Sequence, residues 1–276
     1  MCGIIGAVGR GDETLDTLVH GLSKLEYRGY DSAGVALTGD RLDVCKQSGE
    51  IADLRAALES REMRGAAGIG HTRWSTHGPP TDANAHPHLD CTGDVAVVHN
   101  GIIENYQELR DRLVSAGHGF KSDTDTEVVP HLIEDALADG ADPEAALREA
   151  VAHLEGSYAI AMVVAGEDTV YAARNDSPLV LGVSEDATYL ASDVPAFRDF
   201  TDRVVYLADG EFATLSADGY RVSDVDGNPV EKTVDTVDWD PEETGKSGYD
   251  HYMLKEIHEQ PRALRQCLRG RVDEMS

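Results

Sequence analysis

The stretch Ala159-Ile160-Ala161-Met162-Val163-Val164 decides the fold class. It is too short and too sharply bounded for a core helix, and far too short to span a bilayer. It reads as a strand apolar on both faces, which belongs to a sheet covered on both sides. Downstream, further strand patterns occupy 170–173, 179–183, 188–191, 204–207 and 212–215. Immediately upstream the period changes to helical. Pro143 opens a helix that runs to His153. Thr124 with Glu127 fits a capping box for a helix reaching about residue 138, with Pro130 inside it as a source of a kink. Tyr106, Leu109 and Leu113 share a face of a third helix, which Gly117 stops. Residues 95–99 form a strand that runs directly into Asn100-Gly101, and 72–93 is irregular, too long for an idle connection.

Nearer the start, Cys2-Gly3-Ile4-Ile5-Gly6-Ala7-Val8 reads as a buried strand. A helix capped by Asp12 follows, with Leu15, Leu18, Val19, Leu22 and Leu25 on one face and Gly29 ending it. Strands at 34–37, 42–46 and 65–71 and a helix at 52–58 complete this part. Strands, then helices, then strands within 276 residues predict an α+β fold, two sheets sandwiched between helices. After Gly227 the chain turns polar. Asp238-Trp239-Asp240-Pro241 and Glu242-Glu243 read as a linker, and a last amphipathic helix starts near His251 and breaks off in Arg262, Arg265, Arg269 and Arg271. The division expected is a domain at 1–240 and a connecting segment at 241–276.

Thirty Asp and 21 Glu oppose 18 Arg and 6 Lys, a formal net charge of −27. Such a surface excludes nucleic acid and anionic membranes as partners, since both need a basic face. Spread along the whole chain, the acids suit a salt-rich, halophilic cytoplasm, where self-repulsion is screened within about 3 Å at 1 M salt. Four cysteines at 2, 45, 91 and 267, with no CxxC pair, fit a reducing, cytoplasmic compartment. No charged segment followed by an apolar one opens the chain, so no secretory signal is expected.

Cys2 would become the N-terminal residue once Met1 is excised, placing a thiol and an α-amine on one residue. The amine titrates near ~7.8 and the thiol near ~8.5; a lysine, near ~10.4, would cost about 3.5 kcal/mol more to free as a base. Cys2 can thus supply both nucleophile and general base. The plainer alternative is a small strand residue behind a retained Met1. Asn100-Gly101 offers a side-chain amide and a backbone N–H for a tetrahedral oxyanion; the alternative is a hairpin turn, disfavoured by the helical pattern that follows. Arg73 and Asp125 could hold the carboxylate and ammonium of a free amino acid, or could be a surface ion pair and a helix-terminus acid. His71, His77, His86, His88 and His99 with Cys91 invite a zinc reading. Their spacing matches no closed structural site, so no metal and no cofactor are expected and the histidines shape the loop.

Taken together, Cys2-Gly3-Ile4-Ile5-Gly6, Leu25 to Gly34, His71-Thr72-Arg73-Trp74-Ser75-Thr76-His77-Gly78, Asn84 to His88, Val98 to Asn105, Thr124-Asp125-Thr126-Glu127, Ala191-Ser192-Asp193 and His251 to Pro261 resemble the class II glutamine amidotransferases. Within them the likeness is to the glutaminase half of the aminosugar-forming branch rather than to amidophosphoribosyltransferase. The resemblance implies a four-layer αββα sandwich of the N-terminal nucleophile (Ntn) hydrolase type. It implies Cys2 as nucleophile, Asn100 and Gly101 as the oxyanion site, Arg73, Thr76, His77, Gly101 and Asp125 as glutamine-binding residues, and Trp74 as an ammonia gate. It also implies a homodimer in the full-length enzyme. Fructose 6-phosphate would be met only through synthase domains that lie beyond the connector, so the chain reads as a fragment, an excised domain or a separate subunit. A non-catalytic amino-acid-binding or zinc-binding module is the alternative of another class.

Overall fold

The doubly apolar strand lies where its pattern demands. Residues 156–164 form β7 (Gly156–Val164), the middle of a six-stranded antiparallel sheet. Its order is β13 (Gly219–Ser223), β12 (Glu211–Ser216), β8 (Val170–Asn175), β7, β6 (Val95–Ile103) and β5 (His88–Leu89). A second antiparallel sheet runs β14 (Asp235–Thr236), β11 (Arg203–Tyr206), β9 (Val180–Val183), β10 (Thr188–Ala191), β1 (Gly3–Val8), β4 (Ala67–Arg73), β2 (Ser32–Leu37) and β3 (Asp43–Ser48). The structure, a computed structural model, describes residues 2–238 and 252–268.

Alternation along each strand sorts side chains into layers. Ala159, Ala161 and Val163 join Ala96, Val98, Ile4, Val8 and Ile69 in a core between the two sheets. Ile160 and Met162 point the other way, with Val95 and Val97, against α3 (Tyr106–Ala116), α4 (Val128–Ala138) and α5 (Pro143–Ala152). On the outer face of the eight-stranded sheet lie α1 (Thr14–Lys24) and α2 (Ile51–Leu58). Helix α1 buries Leu18 and Leu22 completely; truncating either to Ala removes about 2–5 kcal/mol of stability. It seats closely because Gly21 has no side chain: a Cβ there would lie 1.9 Å from Ile5 Cδ1. The four layers are those of an α+β αββα sandwich.

Several local expectations change. Asp12 does not cap α1; it sits in a 3-10 turn, Gly11–Glu13, and Thr14 Oγ1 donates to Gly11 O at 2.8 Å. The helix ends at Lys24 and gives way to a second 3-10 turn, Glu26–Arg28, so Gly29 closes that turn instead. Thr124 and Glu127 make no capping box, because Glu127 is itself the residue before α4. Its carboxylate accepts the Lys121 and Ser122 N–H groups, each at 2.7 Å, and ties down the loop. Pro130 is the third residue of α4, in the first turn, where there is no intrahelical bond to lose. Strand β6 continues through Asn100-Gly101 to Ile103, paired with β7 throughout, so the dipeptide is neither a hairpin nor a strand end.

The chain divides into two compact units, Met1–Asp238 and Trp239–Ser276. The second contains α6 (Tyr252–Leu268), which exposes Met253, Leu254, Ile257 and Leu264. Most of the expected linker, the expected helix start at His251, and Arg269 and Arg271 lie outside the described residues. No described helix is long and apolar enough to cross a membrane.

Candidate active site

Pairing of β1 with β4 puts Gly3 opposite Thr72, so the residue before β1 meets the residues ending β4. Cys2 therefore lies beside Arg73 and Trp74. The Trp74 N–H points at Cys2 Sγ at 3.3 Å, and the thiol is 3.5 Å from Trp74 O. Burial pushes the thiol above its ordinary range, while the Trp74 N–H and the Arg73 and Arg28 charges pull against it. The group is thus a neutral thiol near pH 7 and needs a base to become a nucleophile.

The Cys2 carbonyl is gripped from two sides. Arg28 Nε donates to it at 2.9 Å and Asn100 Nδ2 at 3.0 Å. Asn100 reaches across from the other sheet, so this bond joins the two sheets at the thiol. The orientation of its amide follows from its other neighbour: His71 Nε2 lies 3.0 Å from Asn100 Oδ1 and 3.1 Å from His99 O. A ring nitrogen facing two oxygens of this kind carries its proton and donates. That leaves the amide NH2 towards Cys2, with one of its two protons on the carbonyl and a second beyond it. Gly101, next on the strand, has φ +138°, and a Cβ there would lie 2.0 Å from Ser157 O. Only glycine fits.

Arg73 is buried, and its guanidinium donates to the carbonyls of His77, Gly78 (3.2 Å) and Pro79 (3.3 Å), folding the following loop around it. Burial lowers its affinity for a proton; the charges that restore it are those of Cys2, Asp125 and Asp31. Asp125 is buried as well, and its Oδ2 accepts the Ile103 N–H at 2.9 Å, which fixes it to the end of β6 beyond Gly101. Cys2, Arg73, Asn100, Gly101 and Asp125 are thus brought to one place. Trp74 is 43% exposed, with its ring edge-on to Tyr30 at 5.3 Å. Thr76 is exposed, and the half-buried His77 turns its ring to Tyr106 at 5.7 Å.

Beneath the site His71, His86, His88 and His99 are all buried. His71 stacks on His86 at 4.1 Å; His86 Nε2 and His99 Nδ1 share Thr126 Oγ1, at 3.1 and 2.8 Å, and His88 Nε2 is 3.0 Å from Thr124 Oγ1. Burial lowers the proton affinity of all four, that of His71 to about 3, although Asp125 pulls His99 partly back. They are neutral rings propping Asn100 and the Thr124–Thr126 segment.

Read from the sequence, Arg28, Tyr27 and Asp193 had no individual role, and His71 only a part in shaping the loop. Asp193 Oδ2 accepts the Tyr27 hydroxyl at 2.5 Å and lies 3.3 Å from Arg28 Nη1, which aims Arg28 at the Cys2 carbonyl. Gly29 is required by close approach: a Cβ there would lie 2.6 Å from Arg73 C and 2.8 Å from Trp74 N, the peptide that brackets the thiol. In the sequence, Tyr27 to Gly29 and Asp193 stood out only as parts of the family-like stretches Leu25 to Gly34 and Ala191-Ser192-Asp193.

A family model described as a glutamine amidotransferase domain matches residues 71–199. The chain carries a glutamine amidotransferase domain. It is 56% identical over 276 residues to a Halobacterium salinarum protein named glutamine–fructose-6-phosphate aminotransferase (isomerizing), covering 100% of this chain and 45% of the relative. A Thermococcus kodakarensis protein of the same name is 53% identical over 273 residues, covering 98% and 45%. The chain thus spans about 45% of the length of these curated relatives. Among solved structures, a glutamine phosphoribosylpyrophosphate amidotransferase from B. subtilis superposes with a TM-score of 0.70 at 26% identity, over 83% of this chain and 50% of that one. The chain thus superposes on the phosphoribosylpyrophosphate amidotransferase and shares more than half of its residues with these two fructose-6-phosphate aminotransferases.

Proposed function

We propose that the chain is the glutaminase domain of a glutamine–fructose-6-phosphate aminotransferase, and that Cys2 is its nucleophile. With Met1 removed, the Cys2 α-amine takes the thiol proton as Sγ attacks the side-chain amide carbon of glutamine. The oxyanion so formed is held by Asn100 Nδ2 and the Gly101 N–H, each such donor contributing roughly 2.7–4 kcal/mol to the transition state. The amine returns the proton to the departing nitrogen, ammonia leaves, and a thioester remains. Water, deprotonated by the same amine, cleaves it to glutamate and restores the thiol. Arg73 holds the α-carboxylate and Asp125 the α-ammonium, with Thr76, His77 and Gly101 completing the pocket as the loop after Arg73 closes. One observation carries the reading: the 3.0 Å bond from Asn100 Nδ2 to Cys2 O, which sets a donor amide beside a thiol that burial keeps protonated.

Intact mass before and after an electrophilic glutamine analogue tests it. The reading expects a chain lacking Met1 that gains one adduct on Cys2, and a Cys2→Ala variant that neither reacts nor releases glutamate. A retained Met1 with full turnover overturns it.

The ammonia is proposed to pass, gated by Trp74, to a synthase half that converts fructose 6-phosphate to glucosamine 6-phosphate, with 241–276 as the connector and a homodimer as the full-length assembly. Identity above 50% to the aminosugar relatives, against 26% to the phosphoribosyl enzyme, supports this branch. A salt-rich cytoplasm remains the proposed setting, supported by the charge of −27 and the Halobacterium relative.

A further inference from the structure

A second cluster of metal-competent side chains lies outside the site just described. Cys91 stands in the turn from β5 to β6, held there by Asp90, whose Oδ1 accepts the Gly93 and Val95 N–H groups at 2.9 Å each. His118 follows the left-handed Gly117 that ends α3, and its own N–H returns to Leu113 O at 3.0 Å. His131 and Glu134 lie one turn apart on α4. The four donor atoms all fall within 4.8 Å of one another.

The spacing is that of a coordination polyhedron. Cys91 Sγ is 3.5 Å from His118 Nδ1 and 3.6 Å from His131 Nδ1. Glu134 Oε2 is 3.1 Å from His118 Nδ1 and 3.3 Å from His131 Nδ1. A tetrahedral zinc ion with Zn–S of about 2.3 Å and Zn–N and Zn–O of about 2.0–2.1 Å has S–N edges of roughly 3.6 Å and N–O edges of roughly 3.3 Å. We propose that Cys91, His118, His131 and Glu134 form a closed, structural zinc site.

The surroundings suit that assignment. His118 Nε2 lies 2.9 Å from Asp135 Oδ1, which places the ring proton on Nε2 and turns the Nδ1 lone pair to the ion, the usual carboxylate–histidine–metal arrangement. The Cys91 N–H donates to Glu134 Oε2 at 3.0 Å and orients that carboxylate. Phe120 packs on the His131 ring at 4.6 Å. Cys91 is exposed, which gives the ion a route from solvent, and it releases its thiol proton on binding. A thiolate, two imidazoles and a carboxylate select zinc over the hard cations. The ion would clamp both ends of the segment 118–131. That segment includes Asp125, whose role rests on the function proposed above, although the site does not depend on it.

The test uses the full chain carrying Cys2→Ala, so that the reactive thiol takes no metal. After chelation and dialysis, cobalt(II) should give an intense tetrahedral spectrum with a thiolate-to-metal charge-transfer band. The band should saturate at one ion per chain, and one equivalent of zinc should bleach it. Adding Cys91→Ser should abolish the charge-transfer band; Asp135→Asn should weaken zinc binding by about 10–100-fold. Cys45→Ala should change neither. The cobalt spectrum with Cys91 intact does not depend on any cluster variant folding. An octahedral spectrum, no stoichiometric binding, or equal zinc affinity with and without Cys91→Ser overturns the proposal and leaves Glu134 as a hydrogen-bonded hub with no ion.

Discussion

Two histidine clusters stand in this domain, and their surroundings give them opposite characters. His71, His86, His88 and His99 face hydroxyls and carbonyls: Thr124, Thr126, Asn100 and backbone oxygens. Each Nε2 of His71, His86 and His88, and Nδ1 of His99, faces one of these oxygens, while His71 Nδ1 and His86 Nδ1 are buried without a hydrogen-bond partner; burial keeps the rings neutral. His118 and His131 instead turn the same kind of nitrogen towards one carboxylate and one thiol. The histidine itself does not separate a strut from a ligand; what faces its ring does.

The contrast can be broken most severely at Asn100, where the first cluster touches the chemistry. Asn100→Ala should lower turnover by about 10²–10³-fold, measured as glutamate release, with a smaller change in KM. A loss confined to KM would remove Asn100 from the oxyanion. Replacing His71 by Leu comes next. It should cut turnover by about tenfold through a misaimed Asn100 and leave the metal content of the second cluster unchanged; loss of metal in this variant would show that the two clusters are one structural unit.

Acid sharpens the comparison. An unfolded histidine titrates near ~6.5, and His71 when folded only near about 3. Between those values the unfolded chain binds the proton and the folded one does not, so this ring's contribution is complete above about pH 6.5 and is lost as pH falls towards 3, by about 1.4 kcal/mol per pH unit. His86, His88 and His99 act in the same direction. Denaturant unfolding at pH 7, 6 and 5 should show this slope, reduced by about one proton in His71→Asn. An equal slope in that variant would mean that His71 is charged when folded. The smallest effect concerns neither cluster: with a net charge of −27, molar potassium chloride should raise the melting temperature by a few degrees, and no rise would remove the halophile reading.

Both clusters also show what a single chain of letters reveals. The unbroken apolar run Ala159 to Val164 announced a sheet covered on both sides, and the layers follow from it. Cys2, Arg73, Asn100, Gly101 and Asp125 each had a plain structural alternative when read singly; it was the order of their motifs along the chain, shared with a family, that singled them out, and the fold brings them together. Strand β6 was read too short because Asn-Gly is locally a turn, and only pairing with β7 keeps it extended. The expected caps at Asp12 and Thr124 failed because backbone turns take their place: the 3-10 turn Gly11–Glu13 precedes α1, and the Val128 and Val129 N–H groups at the start of α4 donate to Asp125 O and Thr126 O. Cys91 was grouped with the nearby His86 and His88, whereas its partners stand 27, 40 and 43 residues further on, brought to it by two helices. Arg28 was opaque for the same reason, since its targets, Cys2 and Asp193, adjoin it only in space.

The grip of Arg28 and Asn100 on the Cys2 carbonyl carries a practical lesson. Residue 2 is moored by its C-terminal side, so a purification tag or leader peptide fused upstream would leave the seat intact while capping the nitrogen on which the proposed hydrolysis turns. Such a preparation would fold, crystallise and melt like the mature form yet sit idle, and any affinity handle belongs at the opposite end.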